Sequence, residues 1–219
     1  MKTRQEIKLQ AKTNMGKQRG TAILFILLIF VAGLVSGGLN RFVPFVGPLI
    51  GIVIECVLMV FFISVYGAYI AIYNDQPADL GKAISNCGVN FWRKLGGMWW
   101  MSLWTFLWML LLIVPGIIKS YAYSMTPYIL ADCPNVTATQ ALKLSMRMTD
   151  GHKGKLFVMH LSFIAWMLLS AITLYILLIV HVGPYMQATM AGYYTELRAE
   201  ALAKGIIKPE ELGMATQEN

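Results

Sequence analysis

Charge is scarce in this chain. Of its 219 residues, 13% are Asp, Glu, Lys or Arg and 57% are hydrophobic. A soluble domain covers its surface with roughly a quarter charged residues, so a wholly water-facing exterior is excluded. Cysteine is scarce as well. Cys56, Cys87 and Cys133 lie far apart, with no CxxC and no nearby His pair, which argues against a disulfide framework or a thiolate metal site. His152, His160 and His181 are scattered, outside any H-E-x-x-H spacing. A Walker A sequence, a G-x-G-x-x-G after a strand and a G-x-S-x-G elbow are also missing. No metal, cofactor or catalytic set is therefore expected, and the chain reads as a non-enzyme. A site assembled from several helices is a distant third reading.

Long apolar runs dominate what is present. Several reach the roughly 20 residues needed to cross a 30 Å hydrocarbon slab. The pattern predicts spans at about 21–39, 48–73, 98–114, 116–131, 156–180 and 184–198. No small-residue cleavage site and soluble domain follow the first run, so it is read as a retained span. The net charge of +7 is distributed accordingly. Segments 1–20, 74–97, 133–155 and 196–219 carry sixteen of the eighteen Lys and Arg, leaving only Arg41 and Lys119 elsewhere. That asymmetry puts both termini in the cytosol, by the positive-inside rule, and argues against a nucleic-acid partner.

A fixed period organises these runs. Val46-Gly47-Pro48, Val114-Pro115-Gly116 and Val182-Gly183-Pro184 recur at a constant spacing of 68 residues (114 − 46 and 182 − 114). Such a repeat dictates architecture. It predicts an all-α integral membrane protein, a six-span helical bundle of three repeated helical hairpins, each preceded by a short amphipathic cytosolic helix. The whole of 1–219 is one multi-pass domain, with repeat units at about 1–73, 74–132 and 133–203 and a polar tail at 204–219.

The lead-in helices carry their own signals. Thr3-x-x-Glu6 and Thr137-x-x-Gln140 have capping-box form, and Asp79 suits an N-cap. Ala11-x-x-Asn14-x-Gly16 matches Ala83-x-x-Asn86-x-Gly88. Ile7, Ala11 and Met15 form one apolar stripe beside Lys8 and Lys12. A basic pair follows each lead-in: Lys17/Arg19, Arg93/Lys94 and Lys153/Lys155. These six are the candidate headgroup contacts, with the helices lying along an anionic inner leaflet. The alternative is a soluble connector whose charges only set topology. Asp75-x-Pro77 and Asp132-x-Pro134 stop the second and fourth spans.

Glu55, Lys119 and Tyr123 form the candidate intramembrane polar site. Glu55 lies seven residues into its span, roughly 10 Å along the helix, where a charge is expensive and points to function. Lys119 follows the equivalent turn of the next unit and is a possible partner for it. Tyr123 belongs to a hydroxyl-rich series with Ser120, Ser124 and Thr126, and Tyr185, Tyr193 and Tyr194 add to it. Such residues line a crevice in a carrier, or hydrogen-bond between helices in a static bundle.

Tyr123-Ser124-Met125-x-Pro127-Tyr128, Asp132-x-Pro134, the Ala141-to-Ser145 helix, Asp150-Gly151-x-Lys153, Leu161-Ser162-Phe163-Ile164-x-Trp166 and Val182-x-Pro184-Tyr185 together resemble the integral membrane proteins grouped as domain of unknown function family 975. Ala165 stands where that family commonly has Gly. The resemblance covers nearly the whole chain and implies a multi-pass plasma-membrane protein, mainly of Gram-positive bacteria, with no assigned activity. The leading expectation is a non-enzymatic protein that binds anionic inner-leaflet lipids or serves another membrane protein. The alternative is a small-solute carrier or channel with a threefold pseudo-symmetric pathway.

Overall fold

A computed structural model describes residues 2–42, 47–173 and 175–213. Among them there are helices and turns but no strand. The helices run α1 (Arg4–Lys17), α2 (Arg19–Phe42), α3 (Gly47–Tyr73), α4 (Leu80–Gly88), α5 (Phe91–Leu111), α6 (Ile113–Tyr123), α7 (Thr126–Asp132), α8 (Ala138–Thr149), α9 (Lys153–Ile172) and α10 (Gly183–Ala203). A π-helical turn over Leu178–Val182 leads into α10, and a 3-10 turn over Pro209–Leu212 closes the described chain. The sequence Val46 and the tail beyond Gly213 lie outside the described residues.

Local chemistry sets the boundaries. Thr3 and Thr137 close reciprocal capping boxes with Glu6 and Gln140, and Asp79 accepts from the Gly81 amide. Gly47, Pro115 and Gly183 each fall in the first turn of a helix, where a missing or unpaired amide costs nothing. At Gly116 the α5–α6 turn is tight: a Cβ there would lie 2.8 Å from the Met109 Cα. The stop after α3 comes from Asp75, which takes the left-handed conformation at φ 59°, two residues before Pro77.

Among the described residues, three stretches are long and apolar enough to cross a membrane: Arg19–Gly38, Ile50–Tyr73 and Lys153–Ile172. Only 17 to 28% of their apolar windows is buried by protein. Exposed Leu, Ile, Phe and Trp also cover much of α5 and α9. Surface of that kind calls for lipid, so the protein is membrane-associated.

The remaining expected spans differ in detail. The third begins earlier, since α5 starts at Phe91. The fourth is broken into α6 and α7 at Ser124–Met125, where the Ser124 hydroxyl donates to the Tyr121 carbonyl and Pro127 opens the next helix. The fifth stops at Ile172, eight residues before the expected end, because Tyr175 adopts φ 65°.

The core sits around α10. Ala188, Ala191, Gly192, Tyr194 and Leu197 are buried against α1, α3 and α8. Gly192 meets the face of Tyr73, and Tyr194 stacks on Tyr128 with ring centroids 5.6 Å apart. The small residues of this helix serve close approach. The surface-helix reading of the lead-ins requires correction for two of the three. Ile7, Ala11 and Met15 of α1 are buried in the core, as are Ala141, Leu144 and Met148 of α8. Their apolar stripes face protein, because α3 and α10 supply a dry surface to cover. Large apolar side chains stay exposed at Leu9 of α1 and at Ile84 of α4, and the latter is continued by Val89 and by Trp92 at 80% exposure.

Candidate functional site

Polar groups concentrate at one end of the molecule, where the C-termini of α3, α7 and α10 meet α1, α4 and α8. The last carbonyls of a helix have no partner within it, and here side chains supply the donors. From α1, Gln10 and Asn14 both donate to the Tyr73 carbonyl, at 3.3 and 2.8 Å, and Gln18 donates to Gln76 at 2.8 Å. Spacing of four residues puts all three on one face of α1. At the end of α7, Arg93 does the same work: its two terminal nitrogens reach the carbonyls of Leu130 (2.8 Å), Cys133 (3.2 Å) and Val136 (2.6 Å). Asp132 binds the Arg198 guanidinium and accepts from the Tyr194 hydroxyl at 2.8 Å, fastening α7 to α10.

Between α3, α4, α5 and α7 this end opens into a crevice of about 480 Å³. Its mouth carries Asp79 and Lys82, its wall Arg93 and Lys94, and its floor Ser64 and Gly67 on α3. Lys94 is only 6% exposed. Its ammonium donates to the Asn86 carbonyl at the end of α4, which leaves two of its three protons without a protein partner. Arg93 Nε and Ser64 Oγ are buried without a hydrogen-bond partner. Lys82 is exposed at the mouth and makes no ion pair among the described residues. Asp79 and Asp132 line the crevice as well, but its unsatisfied donors and three cations still suit an anion.

A second cavity, of about 330 Å³, lies in the middle of the bundle. Tyr66, Thr105, Ser120, Tyr123, Ser124 and Gln187 are among its lining residues, together with four methionines. The hydroxyls of Ser120 and Ser124 are turned back to carbonyls of their own helix, and Tyr128 approaches Gln187 at 3.4 Å.

The candidate residues scatter across these features. Tyr123 is buried and borders the central cavity. Lys119 is half-buried and sits over the Trp108 ring, 4.9 Å from its centroid, instead of meeting Glu55. Glu55 is exposed on the outside of α3, with no ion pair or hydrogen bond among the described residues. It faces neither a wet axis nor a dry helix contact. Of the six candidate headgroup cations, Lys17 pairs with Asp75 at 2.6 Å and Lys153 with Asp150 at 3.2 Å. Arg93 and Lys94 line the crevice, while Arg19 and Lys155 are exposed and make no ion pair among the described residues. Sequence reasoning missed Lys82, Ser64 and the Gln10/Asn14/Gln18 face. The last was visible as a polar i, i+4, i+8 series.

Neither a curated protein nor a solved structure matches the chain. The family model for proteins of unknown function DUF975 matches residues 49–201, from the start of α3 almost to the end of α10. The chain belongs to that family.

Proposed function

We propose that this is a non-enzymatic, multi-pass plasma-membrane protein, with both termini cytosolic, that holds an anionic lipid headgroup in the crevice between α3, α4, α5 and α7. The observation that carries the reading is the buried Lys94 ammonium in a crevice that is also lined by Arg93 and Ser64, whose Nε and Oγ have no hydrogen-bond partner. An ammonium buried with a single protein acceptor is costly, and an anion entering the crevice would supply the acceptors it lacks. The element order supports the repeat: a short helix followed by a long helical pair occurs as α1–α3, α4–α7 and α8–α10. Sixteen cations on one side support the topology. The exposed Ile84, Val89 and Trp92 beside the crevice mouth suit the headgroup–acyl boundary, which would bring a lipid to the opening.

The second reading is a carrier or channel, favoured by the central cavity that Tyr123, Ser124 and Gln187 border. Native mass spectrometry of the gently extracted protein separates the two. Retained phosphatidylglycerol that is lost in Lys94→Met and Lys82→Gln supports the headgroup site. Unchanged lipid retention in both variants refutes it, and a small polar solute lost in Tyr123→Phe would instead favour transport.

A further inference from the structure

We infer that a second, separate phosphate-binding site lies between the N-terminus of the chain and the start of α9, and does not depend on the crevice. An open cavity of about 590 Å³ is bordered by Lys2, Thr3 and Arg4, by Gly154 and Lys155, and by Tyr193 of α10. Two helices begin at its rim, α1 at Arg4 and α9 at Lys153. The first turn of α1 is already capped by Thr3 and the Glu6 carboxylate, whereas α9, at 20 residues, carries a full positive end. No side chain caps α9, so its first-turn amides are open to an anion.

The side chains agree with the backbone. Arg4 and Lys155 make no ion pair and no hydrogen bond among the described residues. Lys2 is paired with Glu196 at 2.9 Å and also reaches Gln10, so its charge is partly neutralised and the site keeps two free cations. The independent observation is Tyr193. It is 2% exposed, its hydroxyl has no partner, and it lines this cavity. A buried hydroxyl left without a hydrogen bond is rare, and a phosphate oxygen would complete it. Phosphate is the ligand class that uses all these donors together: amides at a helix start, a guanidinium, an ammonium and a phenol. It comes either as a free ion or phosphorylated solute, or as a lipid headgroup whose chains follow exposed Val158 and Leu161 along α9.

The site also has a structural consequence. Its walls come from the chain's first residues, α9 and α10, so a bound phosphate would pin α1 to the end of the bundle.

Full-length protein in dodecyl-maltoside is titrated with inorganic phosphate at constant ionic strength, and separately presented with nanodiscs of phosphatidylglycerol or phosphatidylcholine. Arg4→Gln and Lys155→Gln each weaken binding on the order of tenfold, the loss of one charge-assisted contact. Tyr193→Phe weakens it severalfold while leaving the unliganded protein at least as stable, because the hydroxyl it removes is unsatisfied. Binding of the free ion that falls in all three variants identifies phosphate itself or a soluble phosphorylated molecule. No response to the ion, with phosphatidylglycerol preference lost in the same variants, identifies a headgroup. Affinity for both ligands unchanged by all three substitutions overturns the site. Losses confined to Lys94→Met overturn it also, while leaving the crevice reading intact.

Discussion

Replacing Gly192 with alanine should loosen the whole bundle, because this residue lies where α10 meets α3. A Cβ at position 192 would lie 2.6 Å from Tyr73 Cζ, far inside the 3.4–4 Å of ordinary contact. The ring cannot simply swing away. Tyr73 is 1% exposed, its hydroxyl donates to Gln10 at 3.2 Å, and its carbonyl accepts from both Gln10 and Asn14. Overpacking of this sort costs about 1–3 kcal/mol, and the better helix propensity of alanine offsets up to about 1 kcal/mol. A net loss of about 1–2 kcal/mol corresponds to a fall of several degrees in Tm. Thermal unfolding in detergent, followed by circular dichroism, gives the comparison. Gly96→Ala in α5 is the control, since no heavy atom lies within 4 Å of its Cβ position; it should be neutral or stabilising. Equal Tm values for Gly192→Ala and Gly96→Ala would refute the placement of α10 at the centre.

Truncating Asn14 to alanine removes one donor to Tyr73 and should cost about 1 kcal/mol. Joint truncation of Gln10 and Asn14 leaves that carbonyl orphaned and should cost more than twice as much, as a double-mutant cycle would show. Asp132→Asn keeps an acceptor for Tyr194 but strips Arg198 of its counter-charge. It should destabilise by about 1–3 kcal/mol, discounted from the fully buried case because both side chains are partly exposed. Acid should release the C-terminal segment. Glu200, bonded to Lys204, and Glu211, bonded to Arg147, have carboxyls held below the usual 4.5. Their stabilisation is complete above that value and is lost as pH falls through the lowered one. Limited proteolysis near residues 204–213 should therefore accelerate below pH 4.5, and Glu211→Gln should flatten that pH dependence.

Much of this end of the protein was legible in its letters. The capping boxes at Thr3 and Thr137, the stripe Ile7/Ala11/Met15 and the turn prolines each follow from nearest-neighbour chemistry, which sequence records directly. What covers a stripe is a tertiary fact. The same amphipathic pattern that lays a helix on a membrane also docks it on a neighbour, and α1 docks because α10 offers Ala188, Ala191 and Gly192. For the same reason the least apolar expected span is the most buried one. Its polar letters, Gln187, Thr189 and Tyr194, lower its hydropathy but find partners inside. The break between α6 and α7 left only a weak trace, Pro127, since the apolar run continues across it. At the candidate site, spacing singled out Arg93 and Lys94 as a basic pair. It did not show that one would cap α7 while the other would be buried in a crevice shared with Ser64, because that pocket is assembled from four separated segments.

The central claim is that an anionic headgroup occupies the crevice beside Lys94. Phosphatidylglycerol carrying a photoreactive diazirine in its headgroup can be crosslinked to the membrane-embedded protein and the adducts mapped by peptide mass spectrometry. The account predicts adducts concentrated between Lys82 and Lys94 that disappear in Lys94→Met. Adducts spread evenly over the lipid-facing helices, and unchanged by that substitution, would contradict it.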